Sequence, residues 1–521
     1  MAAAATQAPM TARRVFHAVN AIFCGHTLVR LGSLVLVPLF LRYWPAARYG
    51  EYVALFAATG YLTGLDVGMQ QATINRLTQA YARADLEEYR SIQHTAMAFY
   101  LALAAIVTVL VAGLVWLLPI PGWIGLRLTA PATATMVIIL LSMQVLWAMP
   151  MRFIAATYQT TGNLARSQWI ANFQQAMVTV FSAAALILGG SMIAIAGVQI
   201  LTVILTALFV LMDIRRRLPE LFPGISGANF RFLKELANPS LLFALLLAGN
   251  LIAYQGSILL TAGVMGGLAV AVLSISKTMI DVIRQSLYSI SLALTPDFAR
   301  MEALGEFSKL RRVHRITVVG TAIVTLACVA SLWYEGAGII AFWTRGRIVP
   351  DEELLRLFLV LLAFQTPWAA SSTVATATNQ HRVQAFGYFF AAVAGTALVA
   401  ALLRPLGTWA VPVGLILGEA IFCYHFVVRA SCRIIGEHYG AFACRFWLGF
   451  AGIGAAVLSS GWVLHHMMPG PMLLRCAAMG LVTLTVAAAG GWLFWLKPED
   501  REALWPPVLQ PIALFRGRPS S

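Results

Sequence analysis

Apolar stretches of about 20 residues recur along this 521-residue chain, and each could cross roughly 30 Å of hydrocarbon as a helix. Hydrophobic residues make up 60% of the sequence and charged residues only 11%, whereas soluble domains carry about a quarter charged residues. The pattern predicts an all-α polytopic membrane protein with about 14 transmembrane helices. The predicted segments are 17–40, 52–75, 93–118, 132–151, 169–188, 191–212, 236–259, 262–295, 316–334, 354–377, 384–402, 411–428, 446–465 and 474–496.

Basic residues are distributed unevenly between the two sides of these helices. With the N-terminus in the cytoplasm, cytoplasmic connections and tails hold 25 of the 36 Lys and Arg residues, and outer connections hold 8. This bias predicts that both termini are cytoplasmic. The net charge of +15 then reflects an anionic inner leaflet and gives no argument for nucleic-acid binding. The first segment lacks a small-residue cleavage site, so we expect a retained helix rather than a signal peptide.

Three pairs of similar short segments are separated by the same 217 positions, which indicates an internal repeat. Each pair falls at the same place in the helix order, and each repeat would contain six helices. An even number keeps both repeats in the same orientation, so we expect a pseudo-two-fold axis along the membrane normal. The pairs are Tyr81–Asp85 with Phe298–Glu302, Gly50 with Gly267, and Thr161–Asn163 with Thr378–Gln380.

The repeat sets the expected domain organisation. Residues 1–215 and 216–432 form two six-helix lobes, 433–497 two added helices, and 498–521 a cytoplasmic tail. The linker Leu218–Asn229 contains two prolines and two glycines, and it lies where a hinge between the lobes belongs.

The eighth predicted segment carries three charged residues on one helical face. Lys277, Asp281 and Arg284 are spaced i, i+4, i+7. A charge at bilayer depth costs at least about 2.5–3.5 kcal/mol, so it usually faces a bundle interior or a water-filled cavity. Two cations against one anion leave a net positive site, and Arg30 adds a cation near the middle of the first segment. We expect an anionic ligand. The alternative is a buried structural pair in which Asp281 only neutralises its neighbours.

Other polar residues within the predicted helices are candidates for a supporting or ion-coupling role. For Arg30 the alternative is a structural one, bonded to backbone carbonyls. Glu419 follows two glycines at the small-xxx-small spacing that allows close helix approach, so packing and ion coupling both stay open. Asp66 lies among glycines spaced by four, Gly60, Gly64 and Gly68, and this spacing likewise favours close helix packing there. The supporting candidates are Asp66, Asp281, Glu419, Asn250 and Gln255.

The first 170 residues carry short motifs of a known transporter family. Arg48-Tyr49-Gly50-Glu51-Tyr52, then Gly60–Met69 and Asn75-Arg76, resemble the pattern across the first two helices of Wzx-type polysaccharide-export flippases. Tyr158–Arg166 resembles a short inner loop of the same proteins. These flippases belong to the multidrug/oligosaccharidyl-lipid/polysaccharide (MOP) exporter superfamily.

The resemblance implies a function. Such a protein would move an undecaprenyl-diphosphate-linked oligosaccharide from the inner to the outer leaflet of a bacterial inner membrane, for O-antigen or exopolysaccharide export. It would use alternating access around a cationic central cavity, and Arg30, Lys277 and Arg284 are the matching positions here. Implied partners are the lipid-linked oligosaccharide, membrane lipids, and a polysaccharide polymerase with chain-length proteins. We expect a monomer. No motif identifies the glycan or a coupling ion.

Other chemistries find little support in the sequence. There is no Gly-rich loop followed by Lys-Ser or Lys-Thr, no C-x-x-C among six cysteines, and no H-E-x-x-H among nine histidines. We therefore expect no cofactor, no metal and no enzymatic activity. Two alternatives stay open. A drug/cation antiporter of the same superfamily would be expected to have a net acidic cavity. An O-antigen polymerase or ligase would need a large outer loop, whereas the longest predicted one, 335–353, has about 20 residues.

Overall fold

The computed structural model describes residues 12–66, 69–226, 228, 241–378 and 380–501, and it is helical throughout without a strand in these ranges. The predicted all-α membrane fold is confirmed. Some predicted features lie outside the described residues. They are Val67 and Gly68 of the family motif, Gly227 and Asn229 of the linker, Asn379 of the repeat, the tail beyond 501, and the side chain of Arg30.

The helices of the N-terminal half follow the predicted segments and extend beyond them. They are α1 (Ala12–Tyr43), α2 (Ala46–Gly60), α3 (Met69–Ala82), α4 (Leu86–Leu117), α5 (Ile120–Trp123), α6 (Pro131–Ala155), α7 (Thr157–Thr160), α8 (Leu164–Ile187) and α9 (Met192–Arg217). A 3₁₀ segment, Tyr61–Asp66, separates α2 from α3, so the predicted helix 52–75 is interrupted.

The helices of the C-terminal half match the remaining predicted segments. They are α10 (Leu241–Leu251), α11 (Ser257–Met265), α12 (Gly267–Ala293), α13 (Thr295–Ala303), α14 (Phe307–Trp343), α15 (Glu352–Ala377), α16 (Arg382–Leu406), α17 (Ala410–Glu419), α18 (His425–Ile435), α19 (Tyr439–Met467) and α20 (Met472–Gly490). π-Helical turns at Ile252–Gly256, Ala420–Tyr424 and Gly491–Trp495 continue α10, α17 and α20.

The described parts of all fourteen predicted segments fall on helices, and two boundaries differ in an informative way. Gly266, with φ +85°, ends α11, so the eighth helix begins at Gly267 rather than at 262. The predicted outer loop 335–353 shortens to 344–351, because α14 continues to Trp343. Within the described ranges, ten helical stretches are long and apolar enough to cross a membrane, and one of them, Arg382–Ile435, covers two predicted segments.

The chain divides by its packing into two compact units. The first runs to Ile275 and includes Trp343–Val349 and Thr396–Val411; the second contains Ser276–Phe342, Pro350–Gly395 and the described residues from Pro412 onward. The division therefore falls inside α12. The predicted lobe boundaries at 215 and 432, and the rotation that would relate the lobes, stay predictions.

In the first unit, α6 packs against both α4 and α9. Aromatic side chains fill the space between α3, α4 and α6. Tyr89 and Tyr100 are almost fully buried there, and the rings of Tyr100 and Phe153 lie 5.5 Å apart.

In the second unit, the hairpin of α19 and α20 packs on α14 through a continuous apolar core. The rings of Phe446 and Trp495 stack within this core, 5.4 Å apart and nearly parallel. Buried carboxylates secure the hairpin at opposite ends of α14. Glu335 is bonded by His465 at 2.8 Å and by Arg475 at 2.9 Å. Asp500, which follows α20, pairs with Arg315 at 3.1 Å near the start of α14.

Helices α2 and α12 meet backbone to backbone at the pair of glycines that the repeat relates. A Cβ on Gly50 would lie 1.7 Å from the carbonyl oxygen of Gly267, and a Cβ on Gly267 would lie 2.2 Å from the carbonyl oxygen of Ala47. The two glycines that the predicted repeat pairs are therefore in direct contact, and the repeat itself stays a prediction.

Beside this contact, Glu51 anchors the segment that leads into α6. The side chain is 1% exposed, and Oε1 accepts hydrogen bonds from the backbone N–H groups of Arg127 and Leu128 at 2.6 and 2.8 Å. Oε2 accepts from the backbone N–H and the hydroxyl of Thr129 at 2.8 and 2.6 Å. Four donors thus satisfy one buried carboxylate, and the motif around Glu51 has a structural role.

We expect Gly50→Ala to lower the apparent melting temperature of the purified protein, because α2 and α12 must move apart at a cost of about 1–3 kcal/mol. The matched control is Gly197→Ala in α9, where a Cβ would meet nothing within 4 Å. That control should leave the melting temperature unchanged or raise it slightly, since alanine favours a helix over glycine. Equal melting temperatures for both variants would contradict the close contact.

Candidate functional site

Lys277, Asp281 and Arg284 form one connected ion cluster on α12. The Asp281 carboxylate bonds the Lys277 ammonium through Oδ2. Through Oδ1 it accepts from Arg284, at 3.1 Å from Nε and 3.0 Å from Nη2. The helix itself produces this geometry, because positions i, i+4 and i+7 share a face.

The ion cluster is partly accessible rather than sealed. The side chains of Lys277, Asp281 and Arg284 are 20%, 19% and 30% exposed. One carboxylate holds two cations, so the formal charge is +1. A net charge on a membrane-spanning helix is costly unless a cavity or a ligand compensates it. The ion cluster can therefore hold an anion.

Glu419 lies in the same unit, at the end of α17. It is 5% exposed and precedes the π-helical turn Ala420–Tyr424. Two neutral donors from α15 bind it: Nε2 of Gln365 at 2.6 Å and Nε1 of Trp368 at 2.9 Å. These hydrogen bonds join α17 to α15.

Close helix packing next to Glu419 comes from the neighbouring glycine. A Cβ on Gly418 would lie 2.4 Å from the carbonyl oxygen of Ala391 in α16. The small-residue spacing therefore serves packing against α16, while the carboxylate faces α15. The packing interpretation of this sequence stretch thus has a structural counterpart, and the ion-coupling role of Glu419 stays a prediction.

The other predicted residues lie in the first unit. Asp66 ends the 3₁₀ segment and accepts a hydrogen bond from the Tyr100 hydroxyl at 2.7 Å. Gln255 is in the π-helical turn after α10, where its amide lies 3.0 Å from the place of a Cβ on Gly60. Asn250 is exposed on α10. Arg30 lies in α1, and its predicted share in the site stays a prediction.

Sequence reasoning missed the partners of Glu419 and one cation. Gln365 and Trp368 lie on either side of Pro367 in an apolar segment. An amide side chain within such a segment could have indicated a buried hydrogen-bond partner. Arg152 directly follows the predicted segment 132–151 and counted as an inner-loop residue. The structure places it inside α6.

No group of three or more His, Cys, Asp or Glu side chains in the described ranges could hold a metal ion. The site consists of an ion cluster of formal charge +1 on α12 and a buried carboxylate at the end of α17. The fold that carries these groups is that of a polytopic all-α membrane protein.

Solved structures with the same fold are transporters and flippases. A lipid II flippase, MurJ, in an inward closed conformation aligns with a TM-score of 0.69 and 11% identity, over 91% of this chain and 98% of that one. An inward-facing multidrug resistance MATE family transporter of the MOP superfamily aligns with a TM-score of 0.68 and 15% identity, over 78% and 94% of the two chains. A MATE protein in complex with MaD3S aligns at 0.59 and 14%, over 81% and 96%.

No protein-family model matches the chain, and no curated protein matches it. At 11–15% identity these likenesses show that the chain shares the fold of those structures.

We expect Glu419→Ala to lower the melting temperature, because Gln365 and Trp368 lose their acceptor at about 1–3 kcal/mol for each unpaired buried group. Glu419→Gln keeps one acceptor oxygen and should cost less. The control is Glu353→Ala on the same helix as Gln365. Its side chain is 54% exposed in a surface pair with Arg356, and such pairs contribute about 0–1 kcal/mol. A melting temperature for Glu419→Ala as high as that of the control would disprove the buried hydrogen-bonded role.

Proposed function

We propose that this protein is a flippase that translocates an undecaprenyl-diphosphate-linked oligosaccharide across the bacterial inner membrane for polysaccharide export. The observation that supports it is the ion cluster of Lys277, Asp281 and Arg284, which carries a net positive charge on α12, the eighth predicted membrane segment. A diphosphate is an anion that such a site can bind at that depth.

Charge and geometry give each residue a distinct task. Arg284 can bind phosphate oxygens bidentately through its planar guanidinium, and Lys277 contributes a point charge. Asp281 holds both cations when the substrate is absent, which lowers the cost of an empty site. The low dielectric strengthens each contact, so competition from Asp281 also helps to release the substrate.

Three further residues belong to the proposal. Arg30 of α1 is a third cation for the substrate. Glu419, which is buried in the same unit as the ion cluster, couples ion binding to it. Asp66, Asn250 and Gln255 are supporting polar groups of the first unit.

The proposed setting follows from the charge distribution and the fold. Both termini are cytoplasmic, as the excess of basic residues on that side predicts. The partners are the lipid-linked oligosaccharide, membrane lipids, and a polysaccharide polymerase with chain-length proteins. The protein works as a monomer without a cofactor and is not an enzyme. A solved structure with this fold is a flippase for lipid II, which supports a lipid-linked substrate.

A drug/cation antiporter is the second candidate, favoured by the MATE transporters among the solved structures. The net positive charge of the ion cluster argues against it, because a cationic drug needs an acidic site. A polymerase or ligase finds less support still, since the outer loop between α14 and α15 contains only residues 344–351.

The functional test compares three variants in a glycan-export complementation assay. Arg284→Ala should abolish export, and Arg284→Lys should retain part of it, because lysine keeps the charge but loses the bidentate fork. Asp281→Asn should be milder, since both cations remain to bind the substrate. Membrane levels of all three proteins should match the unmodified protein.

A purely structural ion pair predicts the opposite order. Asp281→Asn would then leave two cations without their carboxylate, at a cost of several kcal/mol, and the protein level would fall. Normal export by Arg284→Ala at normal abundance would disprove phosphate binding by this residue.

A further inference from the structure

An apolar groove runs along α11 in the first unit. Its volume is about 460 Å³, within the range of about 300–1,000 Å³ that small-molecule sites have. Tyr61 of the 3₁₀ segment and Trp123 of α5 line it from the sides. Its floor is one face of α11, formed by residues at spacings of one, four and five: Leu259, Leu260, Gly263 and Val264. The groove can therefore take a hydrocarbon chain.

The groove is closed at the end where α11 begins. Gly256, the last residue of the π-helical turn before α11, also lines the groove. The hydroxyl oxygen of Tyr61 and the Cγ2 methyl of Thr396 lie 3.1 and 3.3 Å from the place of a Cβ on Gly256. Thr396 belongs to α16, and its hydroxyl donates to the backbone carbonyl of Ile252 at 3.2 Å. These contacts hold α16 against the turn, so a chain in the groove ends at Gly256.

The opposite end of the groove lies beside the segment that connects α5 to α6. The backbone carbonyl of Trp123 lies 3.3 Å from the place of a Cβ on Gly263. The guanidinium of Arg127 lies over Gly266, the residue that ends α11, with Nε 3.7 Å and Cζ 3.8 Å from the place of a Cβ. Tryptophan and arginine at the end of an apolar helix are typical of the membrane–water interface. The charge distribution predicts that this is the outer side of the membrane.

Arg127 is fixed by its backbone and free to offer its charge. Its backbone N–H donates to Glu51 at 2.6 Å, whereas its side chain is exposed. The Glu51 carboxylate is 1% exposed and already accepts four hydrogen bonds. An exposed guanidinium at the end of an apolar groove complements a molecule that combines a phosphate with a hydrocarbon chain. An anionic lipid has this chemistry.

The length of the groove distinguishes between kinds of lipid. Gly256 and Gly266 are separated by ten residues of helix, which corresponds to roughly 15 Å. One leaflet contributes half of a hydrocarbon core that is about 30 Å thick. The groove is therefore as long as an acyl chain within one leaflet. The much longer chain of a polyprenyl lipid would run past the closed end at Gly256.

We propose that this groove binds an anionic glycerophospholipid of the predicted outer leaflet. One acyl chain lies along α11, and the headgroup phosphate binds the guanidinium of Arg127. The bound lipid contacts the 3₁₀ segment, α5, α11 and α16 together, so it stabilises the first unit. The site is separate from the ion cluster, whose three residues belong to the second unit.

The test measures the dissociation constant of the first lipid that binds to the purified full-length protein in detergent, by native mass spectrometry. The probes are phosphatidylglycerol and phosphatidylcholine with the same acyl chains. The unmodified protein should bind phosphatidylglycerol more tightly. Arg127→Ala should weaken phosphatidylglycerol binding about tenfold, as the loss of a hydrogen bond to a charged group does. Arg127→Lys should retain most of the affinity, because lysine also offers a positive charge to phosphate.

A second variant fills the groove without changing its charge. Val264→Trp should also weaken phosphatidylglycerol binding, because the indole occupies the space of the acyl chain. Its matched control is Val109→Trp in α4, where the valine is 71% exposed. The control for Arg127→Ala is Arg356→Ala near the start of α15, on the predicted outer side. Arg356 is already paired with Glu352 and Glu353, so both controls should bind phosphatidylglycerol as the unmodified protein does.

Weaker phosphatidylglycerol binding by both Arg127→Ala and Val264→Trp, with unchanged controls, supports the proposal. Equal affinity of the unmodified protein for the two phospholipids overturns it, as does unchanged phosphatidylglycerol affinity in either variant. Undecaprenyl phosphate is the third probe. If both variants bind it more weakly but bind phosphatidylglycerol normally, the groove holds a polyprenyl chain and the phospholipid assignment is wrong. Arg127→Gln takes the place of Arg127→Ala if the alanine variant melts at a lower temperature than the control.

Discussion

The constraint on which the structure depends is that a charge inside a bilayer must find its partners within the protein. Three carboxylates meet this demand with different sets of donors. Glu51 takes three backbone N–H groups and a hydroxyl, Glu419 takes an amide and an indole, and Asp281 takes an ammonium and a guanidinium. Of these three sets, the last holds one more positive than negative charge. The first two stabilise the fold, whereas the last is the one on which the proposed site depends.

The contact of Gly50 with Gly267 shows how close packing replaces the hydrophobic effect within a membrane. Lipid tails are as apolar as side chains, so helices associate through van der Waals contact where small residues permit it. Without side chains at the crossing, α2 and α12 approach until backbone touches backbone. Gly418 does the same for α17 and α16. The glycines that the sequence places at regular spacings are therefore part of the framework that positions Lys277, Asp281 and Glu419.

The helical fold and the ion cluster could be predicted because both depend on local spacing. Apolar length identified the segments, and the period of the helix placed Lys277, Asp281 and Arg284 on one face. The partners of Glu419 could not be predicted, since Gln365 and Trp368 are more than 50 residues away and only tertiary packing brings them together. Arg152 was missed because hydropathy locates a helix end only within a few residues. The break at Tyr61–Asp66 was missed because a 3₁₀ turn within an apolar run leaves the hydropathy unchanged.

The hairpin of α19 and α20 is tied to α14 at both ends, by Glu335 at one and by Asp500 at the other. A helix pair fixed at two points to a third cannot tilt or slide independently of it. Its outer surface exposes leucines such as Leu473 and Leu481. The hairpin therefore cannot adjust its tilt to the bilayer without moving α14. A change in bilayer thickness that no longer matches the hydrophobic length of the hairpin would strain α14 as well.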